Sequence, residues 1–95
     1  MRICQDDEIE QDRVSDLAKE ASEYTGGVAE IKELFSDGTF GRHEAVDRTK
    51  VVMETVFNVL IAHPAILLDR DAYRLIYRAG ECLGEAYQHL CIEEQ

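Results

Sequence analysis

DAYRLIYRAGECLGEAYQHLCI, Asp71 to Ile92, carries two apolar series side by side. Ala72, Ile76, Ala79, Leu83, Ala86 and Leu90 follow one another at steps of four and three, the spacing of one helical face. Tyr73, Tyr77, Gly80, Gly84, Tyr87 and Cys91 run beside them at the same steps. At about 100° per residue the two series, with Leu75 and Cys82 on the flank, cover roughly 220° of the circumference. A helix that packs on one neighbour needs a stripe about half as wide. This helix is therefore expected to touch partners on two sides.

The segment before it supplies one of them. Val46, Thr49, Met53, Val56, Phe57 and Leu60 make the inner face of a helix from about Arg42 to Ala62, with Val52 and Val59 broadening it. His63-Pro64 stops that helix, because proline disfavours helical geometry in the residue before it. His63 then complements the helix dipole at the C-terminal end. AILL, Ala65 to Leu68, reads as a short apolar connector, and Asp69 or Asp71 can cap the last helix. So short a link makes the last two helices antiparallel neighbours. The alanines at 72, 79 and 86 let a facing backbone approach, which points to helix three as the partner of that stripe. The tyrosine-glycine series is left for the earlier helices or for another molecule.

Further upstream, Val14, Leu17, Ala18, Ala21 and Tyr24 mark one face of a helix from about Asp7 to Tyr24. Thr25-Gly26-Gly27 ends it, since glycine adopts the left-handed conformation at little cost. Val28, Ile31, Leu34 and Phe35 support a short second helix, followed by the loop SDGTFGRH, Ser36 to His43, in which Phe40 is expected to anchor to the core. Residues 1–5 are expected to fray. The fold read from the sequence is all-α: a compact bundle of four helices in a single domain, 1–95, with helices three and four an antiparallel hairpin.

Composition narrows the function. The formal charge is −10, and residues 1–41 hold eleven acidic and four basic side chains. Direct binding of nucleic acid is disfavoured, because phosphate neutralisation needs clustered Lys and Arg; a basic protein partner fits better. No apolar run approaches the roughly 20 residues that span a bilayer. MRICQDDEIEQD has no apolar core of a signal peptide, so a cytoplasmic location is expected. Cys4, Cys82 and Cys91 form no C-x-x-C pair and no zinc spacing, which suggests free thiols, with Cys82 and Cys91 as small core residues.

Chemistry-bearing patterns are few. His43-Glu44-Ala45-Val46-Asp47 resembles H-E-x-x-H with Asp in place of the second His. His43 and Asp47 would share a face and ligate a metal, with Glu44 as base, in a metal-dependent hydrolase. A third ligand is not evident. No phosphate loop, dinucleotide fingerprint or serine elbow is present, and neither a catalytic residue nor a cofactor is expected. Arg74 and Arg78 lie one turn apart, followed by Glu81 and Glu85, either as a solvated face or as a rim beside the tyrosines. The stronger pattern is a carboxylate ridge. Asp12, Asp16, Glu20 and Glu23 recur at steps of four and three, and Glu30 and Glu33 extend it. Like charges at that spacing weaken an isolated helix. Such a ridge can imitate a nucleic-acid backbone and occupy a basic channel.

GRHEAVDR, AHPAILLD and EAYQHL together resemble segments of small helical proteins carried by phages and prophages. The small size, acidity and lack of enzyme motifs are similar to those of anti-CRISPR proteins. That resemblance implies inhibition of a CRISPR–Cas complex through protein binding inside a bacterial host. It transfers no residue role. The leading expectation is thus a non-enzymatic inhibitor of a nucleic-acid-handling complex acting through its acidic ridge. A homodimeric structural or adaptor subunit is the alternative, with Tyr73, Tyr77, Gly80, Gly84 and Tyr87 as the self-association face.

Overall fold

A computed structural model describes residues 6–94, and every regular element among them is helical. The expectation for residues 1–5 lies outside the described residues, as does Cys4. Backbone contacts divide the chain into two compact units, Met1–Ser36 and Asp37–Gln95.

The first unit contains α1, Asp6–Ala21, and α2, Gly27–Phe35. Asp6, Asp7 and Glu8 in the first turn of α1 and Lys19 in its last turn both complement the helix dipole. Arg13 Nε donates to Glu10 Oε2 at 2.9 Å, one turn back. After Ala21 the chain turns, with the Ser22 hydroxyl donating to the Lys19 carbonyl at 2.6 Å. Gly27 opens α2 with φ of 64°, where any other residue would be strained. The rings of Tyr24 and Phe35 meet edge to face at 6.4 Å, and Leu17, Ala21 and Ile31 are half-buried. No residue of α1 or α2 is fully buried, and Val14 and Ala18 of the expected apolar face are exposed.

The second unit begins with α3, Phe40–Thr55, capped by Thr39, whose Oγ1 accepts from the Arg42 N–H at 3.1 Å. Phe40 is 80% exposed at the head of this helix, so it does not anchor the preceding loop. Its ring lies in the first turn, before α3 reaches the packed region. Helix three does not run regularly to Ala62. Val56–Leu60 form a π turn, in which the Ile61 N–H reaches back to the Val56 carbonyl at 2.9 Å. Just before it, the Thr55 hydroxyl donates to the Val51 carbonyl at 2.8 Å, a back-bond of the kind that bends helices. Nothing in the periodicity signals this turn.

His63 caps a further short helix, α4, Pro64–Leu67, accepting from the Ala65 N–H through Nδ1 at 3.0 Å. The ring is thus an acceptor at a helix start, the reverse of the expected cation at a helix end. The expected AILL connector is itself helical because Pro64 fits the first helical position. Asp69 Oδ1 accepts from the Ala72 N–H at 3.0 Å and caps α5, Arg70–Glu94, as the sequence suggests.

α5 packs against α3 and its π extension. A Cβ placed on Gly80 would come within 2.6 Å of the Phe57 ring, and one on Gly84 within 3.4 Å of the Met53 sulfur. Phe57 also meets Tyr77 edge to face at 5.5 Å. Among the described residues of this unit, Val46, Ile61 and Gly80 are the buried ones. Helix three therefore faces the glycines of the second series, and Ala79 and Ala86 of the alanine stripe are exposed. The physical reason is the ring. Phe57 lies directly on the α5 backbone, which only a residue without Cβ permits. No helix among the described residues is long and apolar enough to cross a membrane.

Candidate interaction surfaces

The acidic ridge lies in the first unit. Asp12, Asp16 and Glu20 recur every fourth residue on α1 and are exposed. Four residues of α-helix rise about 6 Å, so the carboxylates form a row at that repeat. Glu23 is exposed too, but it stands in the turn beyond Ala21. On α2, Glu33 is exposed and Glu30 half-buried with its Cβ against Gly26. Among the described residues, no side-chain hydrogen bond or ion pair engages Asp12, Asp16, Glu20 or Glu23. Arg13, next to Asp12 in sequence, is held by Glu10, whose carboxyl it keeps below the usual carboxylate value by hydrogen bonding and then by charge.

A second surface is an open groove on α5 lined by Tyr73, Arg74, Tyr77, Arg78 and Glu81. Tyr73 and Tyr77 stack with centroids 6.1 Å apart and planes 24° apart, and each stays partly exposed. Among the described residues Arg74 and Arg78 form no ion pair with Glu81 or Glu85. Of the five residues expected to associate between copies, Tyr73 and Tyr77 thus line this groove. Gly80 and Gly84 face α3 within the chain, and Tyr87 is half-buried beside Cys91.

The Tyr87 hydroxyl is pushed above the ordinary tyrosine value. Its hydrogen bond with Cys91 is the largest cause, followed by the charge of Cys91, burial, and the fields of Asp47 and Glu54. A folded-state value raised in this way contributes stability that is complete below the unfolded pKa and lost as pH rises through the folded one. In a spectrophotometric titration the Tyr87 phenolate is expected at a higher pH than an ordinary tyrosine, and Cys91→Ala should lower it. A titration unchanged by Cys91→Ala contradicts the assignment. Cys82 and Cys91 are both free thiols, and Cys82 is exposed instead of packed in the core.

His43 Nε2 lies 3.5 Å from Asp47 Oδ2, one turn along α3. Glu44 is bridged to Arg48 at 3.0 Å, which occupies the carboxylate a hydrolase would need as base. Among the described residues no group of three or more His, Cys, Asp and Glu side chains gathers around a common point. The pair offers two donors on one helical face and no third. Compared with protein families, curated proteins and solved structures, the chain matches none of them.

Proposed function

We propose that this protein is a non-enzymatic, protein-binding inhibitor of a nucleic-acid-handling complex, acting in a bacterial cytoplasm in the manner of an anti-CRISPR protein. The observation that carries the reading is the row of exposed carboxylates at Asp12, Asp16 and Glu20, with no side-chain partner among the described residues. Unpaired like charges one turn apart cost a helix stability, and a basic channel relieves that repulsion on docking. The same row presents the charge pattern of a phosphate backbone to such a channel. Its partner is a basic protein surface, such as a CRISPR–Cas subunit, and neither nucleic acid nor a cofactor takes part in the contact.

In this reading the second unit is the scaffold. α3 with its π extension and α5 form an antiparallel hairpin, supported by Phe57 lying beside Gly80 while Met53 lies beside Gly84. A pull-down from a host carrying CRISPR–Cas tests the function. The wild type should retain a Cas subunit, and Asp16→Lys with Glu20→Lys should weaken that binding by well over about tenfold. Added salt should do the same, because exposed charges are screened within about 10 Å at 0.1 M. Binding indifferent to both changes rules the ridge out.

A further inference from the structure

Gly80 and Gly84 mark the side of α5 that faces α3. Measured from their midline at about 100° per residue, Arg70, Arg74, Arg78, Glu81 and Glu85 all fall within roughly 60–140° on one side. They make a strip along which three cations are followed by two carboxylates. Tyr77 borders the strip towards α3, and Asp71 and His89 stand at its far edge. All five charged residues are exposed, and among the described residues no ion pair engages any of them. The open groove of Tyr73, Arg74, Tyr77, Arg78 and Glu81 runs along the same strip. At the same step from Met53, Asp47, Lys50 and Glu54 of α3 turn to that side as well, again with both signs.

We infer that this strip is a contact between two copies of the chain, their α5 helices side by side and antiparallel about a two-fold axis. The order of the charges carries it. An axis passing between Ala79 and Gly80 sets Arg78 opposite Glu81 of the second copy and Arg74 opposite its Glu85. Each pairing recurs across the axis, as a self-complementary contact requires. A parallel arrangement in register would set cation on cation. Exposed ion pairs are individually weak, so here they choose direction and register, as the charges beside a coiled-coil seam do. The contact area comes from the tyrosines, whose rings stay partly exposed in the single chain. Tyr77 lies within a turn of the axis and so approaches its own copy, while Glu81 and Glu85 of that copy enter the groove beside the rings. Overall charge agrees. Chains of −10 repel, and a strip in which the two signs nearly balance is where they meet with least opposition. The glycine face expected to associate is turned to α3, and the contact falls on the strip next to it. The inference goes beyond the proposed inhibition and does not depend on it.

Sedimentation velocity on the full chain tests the inference. The wild type is expected to run as a dimer at about 200 µM in low salt and to weaken in about 0.5 M salt, where exposed charges are screened. Arg74→Glu with Arg78→Glu, and separately Glu81→Arg with Glu85→Arg, should each raise the dissociation constant at least about tenfold by opposing like charges. Mixing the two variants should restore the dimer, since every opposed pair is again of unlike sign. Both variants remain net negative, so overall charge cannot produce that rescue. If a reversal costs helical circular dichroism, Arg74→Gln with Arg78→Gln, which adds no new charge to the helix, decides: a raised dissociation constant supports the contact and an unchanged one overturns it. A monomeric wild type, a dimer indifferent to the reversals, or folded variants that stay apart when mixed also overturn it.

Discussion

Phe57→Ala is expected to cost the second unit about 3 kcal/mol, the lower end of the range for removing a packed phenylalanine. The ring is half-buried, which sets it below the maximum, but its place makes the loss severe. It covers Gly80, meets Tyr77 at 5.5 Å and occupies the π turn. Among the described residues only Val46, Ile61 and Gly80 are buried. A small domain has about 5–15 kcal/mol in all, and one with so few buried residues lies towards the bottom of that range. Urea unfolding followed by circular dichroism should show the midpoint falling by a third or more of its wild-type value. A variant within about 1 kcal/mol of wild type would mean that the ring contributes little to packing, contrary to its position.

The second large effect is at Gly80. Gly80→Leu places a Cβ 2.6 Å from the Phe57 ring and then adds three carbons beyond it. Helix propensity alone favours the change by about 1 kcal/mol. Overpacking costs about 1–3 kcal/mol, and displacing Phe57 forfeits part of what Phe57→Ala would lose. The expected net is a destabilisation of about 2–4 kcal/mol. Gly84→Ala is the contrasting case. Its Cβ would meet only the flexible Met53 thioether at 3.4 Å, so propensity prevails and the domain should gain up to about 1 kcal/mol. Thermal melts of Gly80→Leu and Gly84→Ala should therefore shift in opposite directions. Parallel shifts would show that the two glycines do not face α3 as described.

These two residues also show what the sequence made legible. Steps of three and four located the helices that became α1, α2, α3 and α5, and of the two caps the sequence offered, Asp69 and Asp71, it is Asp69 that starts α5. The two series on α5 were both readable, and their width indicated contacts on two sides. Which series turned towards α3 was not readable. Alanine and glycine both allow close approach, and the decision rests on the Phe57 ring, which the π turn sets over Gly80. The extra residue of the π turn shifts the register by one, so Ile61 is buried where the spacing pointed to Leu60, which is 44% exposed. Phe40 shows a similar limit: an aromatic in a glycine-bearing segment reads as an anchor, yet it sits 80% exposed where α3 begins.

The candidate surfaces divide in the same way. The carboxylate row was visible as spacing, and α1 carries Asp12, Asp16 and Glu20 at one-turn intervals, while Glu23 falls past its end.

The position of the Phe57 ring on Gly80 underlies the scaffold and the opposite signs expected at the two glycines. Nuclear Overhauser spectroscopy of the labelled full chain tests it most directly. Strong cross-peaks should join the Phe57 ring protons to the Gly80 α-protons, with ring-current shifts on those protons, and the Met53 methyl should reach Gly84. Cross-peaks from Phe57 and Met53 to the Ala79 and Ala86 methyls, with none to Gly80, would contradict the account.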